Sequence, residues 1–455
     1  MKHSTLTRRA FLAATTSTMA GASWAAQANT AKVVPGKISP NERLHVASIG
    51  CGGKGMGDIW NCRAEDVVAL CDVDWKRGGE AFYRFRKAAP KHYKDYRVMF
   101  DEMADGIDAV VISTPDHTHA PAAYHAMKLG KHVYVQKPLT HTVAEARLLL
   151  ETAREMGVAT QMGNQGQAGN GVRAVCEMVW SGAIGGVREA HIWTDRPGTV
   201  WPQGIPNPLP EEPVRDKLDW ELWIGSAPMR PYNGGYCPRA WRGWWDFGCG
   251  ALGDMGCHNM NPAWAALKLG EAETFSVEVV REEGNNTETG PNASIIKYSF
   301  PARGAMPPVD VFWYDGSLML PRPEGVPAEE PLGEGENGSL FVGTGGYMTM
   351  GPHAEHSRLL PAAKMVDYER PDPSIPRIAG EDPYRNWIEA CKGGEAACSN
   401  FEYAVPLTVF VNFGNVALRS GKKLEFDVRR MKITNDEAAN ALLTKEYRKG
   451  WELPV

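Results

Sequence analysis

Asp254 and His258 stand four residues apart in the run Gly253-Asp254-Met255-Gly256-Cys257-His258. If residues 253–267 form a helix, the two side chains share one face, one turn apart. A carboxylate beside an imidazole can fix its tautomer and stabilise its charged form, as expected of a general base and the residue that orients it. The same spacing suits two ligands of one metal. No third ligand follows in a recognisable motif, so no metal site is expected. A purely structural contact between the two is the remaining alternative.

A second constellation lies near the start of the chain. Residues 43–49 are largely apolar and read as a buried strand, which runs into Gly50-Cys51-Gly52-Gly53-Lys54-Gly55. Gly50, Gly52 and Gly55 form a G-x-G-x-x-G turn that permits a tight bend, close backbone approach to a pyrophosphate and close helix packing. Gly53 and Lys54 belong to the same turn, where a helix N-terminus offers free N–H groups to phosphate. A strand over 67–71 then ends at Asp72, about twenty residues on, where a carboxylate would bind ribose hydroxyls. A carboxylate there repels a 2′-phosphate, so NAD is favoured over NADP, although Lys76 and Arg77 could soften the repulsion. Asp72 could instead cap the next helix, a role that Asp74 can also fill.

These motifs need a scaffold, and the hydrophobic pattern supplies one. Helix is expected over 75–88, a short strand over 96–99 and a central strand over 109–113. That strand ends in Thr114-Pro115-Asp116-His117-Thr118-His119. Helix over 121–129, strand over 132–135, helix over 143–156 and strand over 158–162 follow. Alternating strands and helices imply a doubly wound parallel sheet, a Rossmann domain over 41–166. Ligands in such sheets bind beyond the carboxyl ends of the strands, where every motif quoted above falls. Thr114, Pro115, His117, His119, Gln136, Lys137, Asn164 and Gln165 therefore join the candidate cofactor residues. His117 and His119 could line the substrate pocket or merely cap the following helix. Asn164 and Gln165 could hold cofactor or substrate.

After residue 166 the pattern changes. Strands are expected over 187–194, 275–281, 294–300 and 309–314, with helices over 171–181, 382–391 and 403–419. This implies a second, α+β domain over 167–430 with a mostly antiparallel sheet, followed by a tail over 431–455. Eight of the fifteen tryptophans fall between Trp193 and Trp264. Indoles can stack on sugar rings or fill a core under long loops. Trp244 and Trp245, with Arg242 beside them, are the candidates for substrate contact.

Hydrophobic residues make up 43% of the 455-residue chain and charged residues 23%, with a net charge of -5. This is a globular composition with no basic footprint for nucleic acid. Past the N-terminus no uninterrupted apolar run is long enough to span a bilayer. Thr7-Arg8-Arg9-Ala10-Phe11-Leu12, a weakly apolar stretch and Ala26-Gln27-Ala28 resemble a twin-arginine export signal over residues 1–28. That route carries folded proteins, so the expected location is periplasmic and the expected cofactor is bound tightly before export. Nine cysteines without a C-x-x-C pair point to mostly free thiols, with one incidental bridge at most.

In order and spacing, the glycine turn, Asp72, the 114–119 motif, Lys137-Pro138 and the 253–258 segment resemble the Gfo/Idh/MocA oxidoreductases. The resemblance implies hydride transfer between NAD and a sugar-like alcohol. It places Lys137 near the nicotinamide, with Lys137 and His258 moving the hydroxyl proton and Asp254 orienting His258. It also implies a homo-oligomer. The family's Glu-Lys-Pro signature reads Gln136-Lys137-Pro138 here, which removes a carboxylate beside the lysine. A redox-neutral glycosidase that oxidises, eliminates, hydrates and reduces is the first alternative. A non-catalytic sugar-binding protein is the second. The paired carboxylates of an ordinary glycoside hydrolase are not evident.

Overall fold

The computed structural model describes residues 41–198 and 200–455. Residues 1–28, the expected export signal, lie outside the described residues. Six parallel strands form the first sheet: β1 (His45–Ile49), β2 (Asp66–Cys71), β3 (Lys91–Tyr93), β4 (Ala109–Ile112), β5 (His132–Val135) and β6 (Thr160–Met162). Their order is β3-β2-β1-β4-β5-β6, the doubly wound arrangement expected. The order reverses between β1 and β4, so the ligand crevice opens where Gly50 and Ser113 follow those strands.

The connecting helices are α1 (Lys54–Asn61), α2 (Trp75–Arg84), α3 (Tyr96–Met103), α4 (His119–Lys128) and α5 (Val143–Met156). The strand expected over 96–99 is part of α3. Asp95 caps that helix by accepting the Arg97 amide, and Tyr96, Met99 and Phe100 bury one helical face. The neighbouring strand is the shorter β3 just before it. Helix α5 starts with a Thr142–Glu145 capping box and stops at Gly157, which takes a left-handed conformation.

The second domain begins with α6 (Asn170–Trp180) and β7 (Val187–Trp193), then the short α7 (Trp220–Ile224). The single helix expected over 253–267 is two: α8 (Gly250–Asn259) and α9 (Asn261–Ala266), with Pro262 in the first turn of α9. Strands β8 (Thr274–Glu283), β9 (Ala293–Phe300), β10 (Val309–Tyr314), β11 (Gly338–Gly343), β12 (Gly346–Met350) and β13 (Arg358–Leu360) follow. Helices α10 (Pro383–Cys391) and α11 (Phe401–Ser420), then β14 (Leu424–Asp427) and β15 (Lys432–Ile433), complete the chain. The nine-stranded sheet runs β13-β12-β11-β7-β10-β9-β8-β14-β15 and is antiparallel except for the β7–β10 pair.

Helix α11 is long and apolar enough to cross a membrane, yet it is a buried core helix. It lies so close to the second sheet that a Cβ at Gly414 would meet the Tyr298 hydroxyl at 2.2 Å. Helix α10 returns to the first domain, where Tyr384, Trp387, Ala390 and Cys391 share one apolar cluster with Leu44, Val46 and Tyr134. Residues 431–455 are no detached tail: Ile433, Leu443 and Trp451 are buried. All nine cysteines are free thiols. Because Trp387 is fully buried in the first domain's core, Trp387→Ala should cost about 3–5 kcal/mol. Guanidinium unfolding followed by circular dichroism measures this.

Candidate active site

A cleft of about 530 Å³ lies along the carboxyl ends of β1, β2, β4 and β5, roofed by the 240–243 turn and α8. The glycine turn forms one wall. Gly50 has φ +81°, and a Cβ there would meet the Ser113 carbonyl at 2.6 Å. A Cβ at Gly55 would fall 1.9 Å from the Gly50 carbonyl. Only glycine permits this approach, and no side chain caps the α1 N-terminus beyond Gly53. That cradle fits a pyrophosphate. Asp72 braces it: one carboxylate oxygen accepts the Cys51 and Gly52 amides at 2.7 and 3.1 Å, and the other accepts the Asp74 amide. Burial pushes the Asp72 pKa up to about 6. Asp74 is the helix cap, accepting the Lys76 and Arg77 amides. Asp72 is thereby left to the cleft, which Arg77 also lines.

Behind the turn sits a carboxylate that the sequence analysis did not single out. Asp58 is fully buried and meets four donors. Lys54 Nζ and the Tyr384 hydroxyl donate to one oxygen at 2.5 and 2.6 Å, and Ser113 Oγ and Gln136 Nε2 to the other at 2.6 and 2.9 Å. The departure at residue 136 follows directly. A Glu would set a second carboxylate against Asp58, whereas the Gln amide donates to it. The position of Lys54 is likewise shared with Asp58 rather than given wholly to the cleft.

Lys137 finds its counter-charge on α8. Its ammonium donates to the Asp254 carboxylate at 2.9 Å and to the Asp254 carbonyl. Arg242 Nε donates to the same carboxylate oxygen at 2.9 Å. Burial opposes ionisation of Asp254, but Lys137 and Arg242 outweigh it and hold the carboxyl well below its usual range. Asp254 makes no hydrogen bond to His258, contrary to the expected orienting pair: its carboxylate is drawn to the two cations, which share one of its oxygens. His258 lines the cleft with its Nδ1 buried and unpartnered. Its ring stands edge-on to His353, 4.7 Å between centroids. Burial, then Lys137 and His353, push its pKa far below that of a free imidazole, so it is a neutral base at neutral pH.

Other expectations need correction. His117 and His119 are buried and do not line the cleft. The His117 nitrogens face the Phe247 and Trp223 carbonyls at 3.2 and 3.1 Å, and those of His119 face Pro138 and Thr114 at 2.8 and 2.9 Å. Burial lowers their pKa values to about 3 and about 4. Thr114, Pro115 and Gln165 line the cleft, while Asn164 is buried and accepts the Ser399 hydroxyl at 2.5 Å. Trp244 is fully buried against Tyr236 in an aromatic cluster. Trp245 donates to the Asn286 carbonyl and faces a separate small pocket beside Arg419. The indoles of the main cleft are Trp201, Trp223, Trp241 and Trp451, with the Arg242 guanidinium 4.3 Å from the Trp241 ring centre. Proximity to Arg242 could have pointed to Trp241; no signal in the sequence pointed to His353. Asp116 also lines the cleft, and its motif was legible although its role was not. Among the described residues no group of three or more His, Cys, Asp or Glu could hold a metal.

A dinucleotide cradle facing a lysine and a neutral histidine defines a nicotinamide-dependent oxidoreductase class of site. The chain belongs to the Gfo/Idh/MocA oxidoreductase family: the NAD-binding Rossmann model matches residues 44–164, and the C-terminal alpha/beta model matches 170–304 and 373–453. Residues 305–372, which carry His353, lie outside both matches. The α-N-acetylgalactosaminidase of Shewanella oneidensis is 32% identical over 199 residues, 39% of this chain and 43% of that protein. Glycosyl hydrolase family 109 protein 1 of Shewanella sp. ANA-3 is 33% identical over the same shares. The chain thus matches less than half the length of these curated relatives. The WlbA dehydrogenase of Bordetella pertussis, solved with NADH and UDP-GlcNAcA, shares the fold with a TM-score of 0.58 at 14% identity, covering 84% of this chain and 98% of that one. Aldose-aldose oxidoreductase of Caulobacter crescentus, solved with glycerol, gives 0.54 at 16% identity, covering 84% and 99%.

Gln136→Glu should destabilise the protein by about 3 kcal/mol, because it buries two facing carboxylates. Adding Asp58→Asn should recover part of that loss, and unfolding midpoints of the single and double variants decide it. A histidine kept neutral by burial stabilises the fold above its unfolded pKa of about 6.5, and loses that contribution as pH falls toward its folded value. For His119 the window runs from there down to about 4. The stability deficit of His119→Gln should therefore be largest at pH 7 and shrink by about 2 kcal/mol at pH 5.

Proposed function

We propose that this protein oxidises a hydroxyl of a sugar or sugar-like alcohol and keeps its dinucleotide bound through the cycle. The observation that carries the reading is Lys137 and neutral His258 lining one cleft with the glycine cradle. The α1 N-terminus and the amides of residues 50–55 would hold the pyrophosphate, and Asp72 the ribose hydroxyls, in favour of NAD over NADP. The nicotinamide, when bound, supplies a hydride acceptor for the alcohol carbon. His258 would take the hydroxyl proton, since its ring is neutral and lines the cleft. The Lys137 ammonium, fixed by Asp254, would stabilise the developing negative charge on that oxygen. Arg242 against Trp241 and Trp201 would hold the polyhydroxyl substrate.

Two further inferences belong to this reading. The sequence of residues 1–28 supports twin-arginine export with the cofactor already inside, hence a periplasmic location. The family resemblance supports assembly as a homo-oligomer. A second reading, redox-neutral cleavage of a glycoside, is favoured by the glycosidase relatives named above.

Protein purified without added nucleotide should show a change in the reduced-nicotinamide absorbance when free sugars and glycosides are presented. Lys137→Ala and His258→Ala should slow that change by about 10²–10⁴-fold. No change with any sugar or glycoside would sink the proposal, and unchanged rates in both variants would remove the assigned roles.

A further inference from the structure

Alcohol oxidation needs one proton acceptor, and His258 fills that place. The cleft holds a second group able to carry a proton. Asp116 opens the turn that follows β4 and lines the cleft, although only 4% of its surface is exposed. One carboxyl oxygen accepts the Cys249 amide at 3.0 Å, which fixes the group. The Cys249 thiol also lies within hydrogen-bonding reach of this carboxyl. The groups that face Asp116 come from several elements: Lys137 after β5, Arg242 from the 240–243 turn, Asp254 and Cys257 from α8, and the Cys249 thiol before it. His117 and His119 lie next in sequence but turn their rings to backbone carbonyls. Lys137 and Arg242 are already committed to Asp254, so Asp116 has charges nearby but no ion-pair partner.

We propose that Asp116 is a second proton-transfer residue of this cleft, donating to the leaving oxygen of a glycoside. This rests on the hydride-transfer reading and names its substrate class. Burial raises the Asp116 pKa to about 7 against the pull of Arg242 and Lys137, so acid and base forms are both available near neutral pH. Bound nicotinamide would supply the hydride acceptor by which the sugar alcohol becomes a ketone, and the hydride donor that restores it at the end. His258, having lost the hydroxyl proton to solvent, takes the acidified C–H proton beside the ketone. That electron pair forms the C=C bond as the glycosidic C–O bond breaks. The leaving oxygen keeps the bond's electrons and receives the Asp116 proton. Water then adds its oxygen to the same carbon and gives a proton to the Asp116 carboxylate, while His258 returns its proton to the neighbouring carbon. When the hydride returns to the carbonyl carbon, its oxygen takes back a proton from solvent by way of His258, so the net change is glycoside plus water to sugar plus alcohol.

Asp116→Asn keeps an acceptor for the Cys249 amide and removes only the transferable proton. Two measurements test the proposal. Infrared difference spectra across pH, without substrate, should show a protonated carboxyl band that titrates near neutrality and vanishes in the variant. A wild-type protein lacking that band overturns the proposal. The second measurement compares cleavage of methyl and nitrophenyl glycosides of the sugars that reduce the bound cofactor. A poor leaving group needs an acid and a good one scarcely does. Asp116→Asn should therefore slow methyl glycoside cleavage by about 10²–10⁴-fold and nitrophenyl cleavage far less. Equal losses with both, or no loss with either, overturn the assignment. Wild-type protein that reduces its cofactor with free sugars but cleaves no glycoside also overturns it, and leaves the hydride reading standing. No cofactor change with any sugar instead removes the hydride reading itself.

Discussion

The ion pair between Lys137 and Asp254 joins the two domains at the point where their chemistry meets. Lys137 lies just past the end of a strand of the parallel sheet, and Asp254 sits in the first helix beyond the indole-rich loops. Each side chain is largely removed from water, with about 15% of either exposed. A cation placed there without a counter-charge would lose hydration that nothing replaces. Arg242 adds a second cation to the same carboxylate, so the cluster carries a net positive charge facing the cleft. A positive, preorganised cluster is suited to an alkoxide forming beside it. Burial, then the Lys137 charge, keeps His258 neutral.

Asp58 plays the corresponding part for the cofactor wall. Four donors from α1, the β4 and β5 ends and α10 converge on one buried carboxylate. Tyr384 reaches it from a helix some 330 residues along the chain. The second domain's chain is thus tied into the first domain's nucleotide turn. Gln136 takes part through its amide while its oxygen accepts the Lys137 backbone amide at 3.3 Å. The residue that departs from the family signature is therefore fitted to its surroundings, and the charge beside the lysine comes from another helix.

The architecture was legible because strands buried on both faces read as short apolar runs, with amphipathic helices between them, one of which stops at Gly157. Residues 132–135 and 143–156 fell where expected for that reason. Tyr96 to Met99 did not, since Tyr, Val and Met suit either period and only the Asp95 cap decides for helix. The glycine cradle and Asp72 were legible because a phosphate turn constrains local sequence, and Lys137 was legible through the family resemblance. The partner of Asp254 was not. Helical spacing says that Asp254 and His258 share a face, but not that a lysine 117 residues earlier occupies the carboxylate first. The tryptophans failed in a similar way: composition marked the region, while burial assigned Trp244 to the core and Trp241 to the cleft.

Separating Asp254 from His258 changes what the histidine can do. An imidazole hydrogen-bonded to a carboxylate is a stronger base, with its tautomer fixed. His258 has neither aid: its inner nitrogen is buried and unpartnered, and its nearest ring is the imidazole of His353. A proton gained there meets Lys137 and a second histidine, so it is retained only briefly and passes on readily. His353 comes from residues 305–372, outside the family match, so this segment contributes directly to the environment of the base. The chemistry of the cleft therefore depends on a part of the chain that the shared family pattern does not describe.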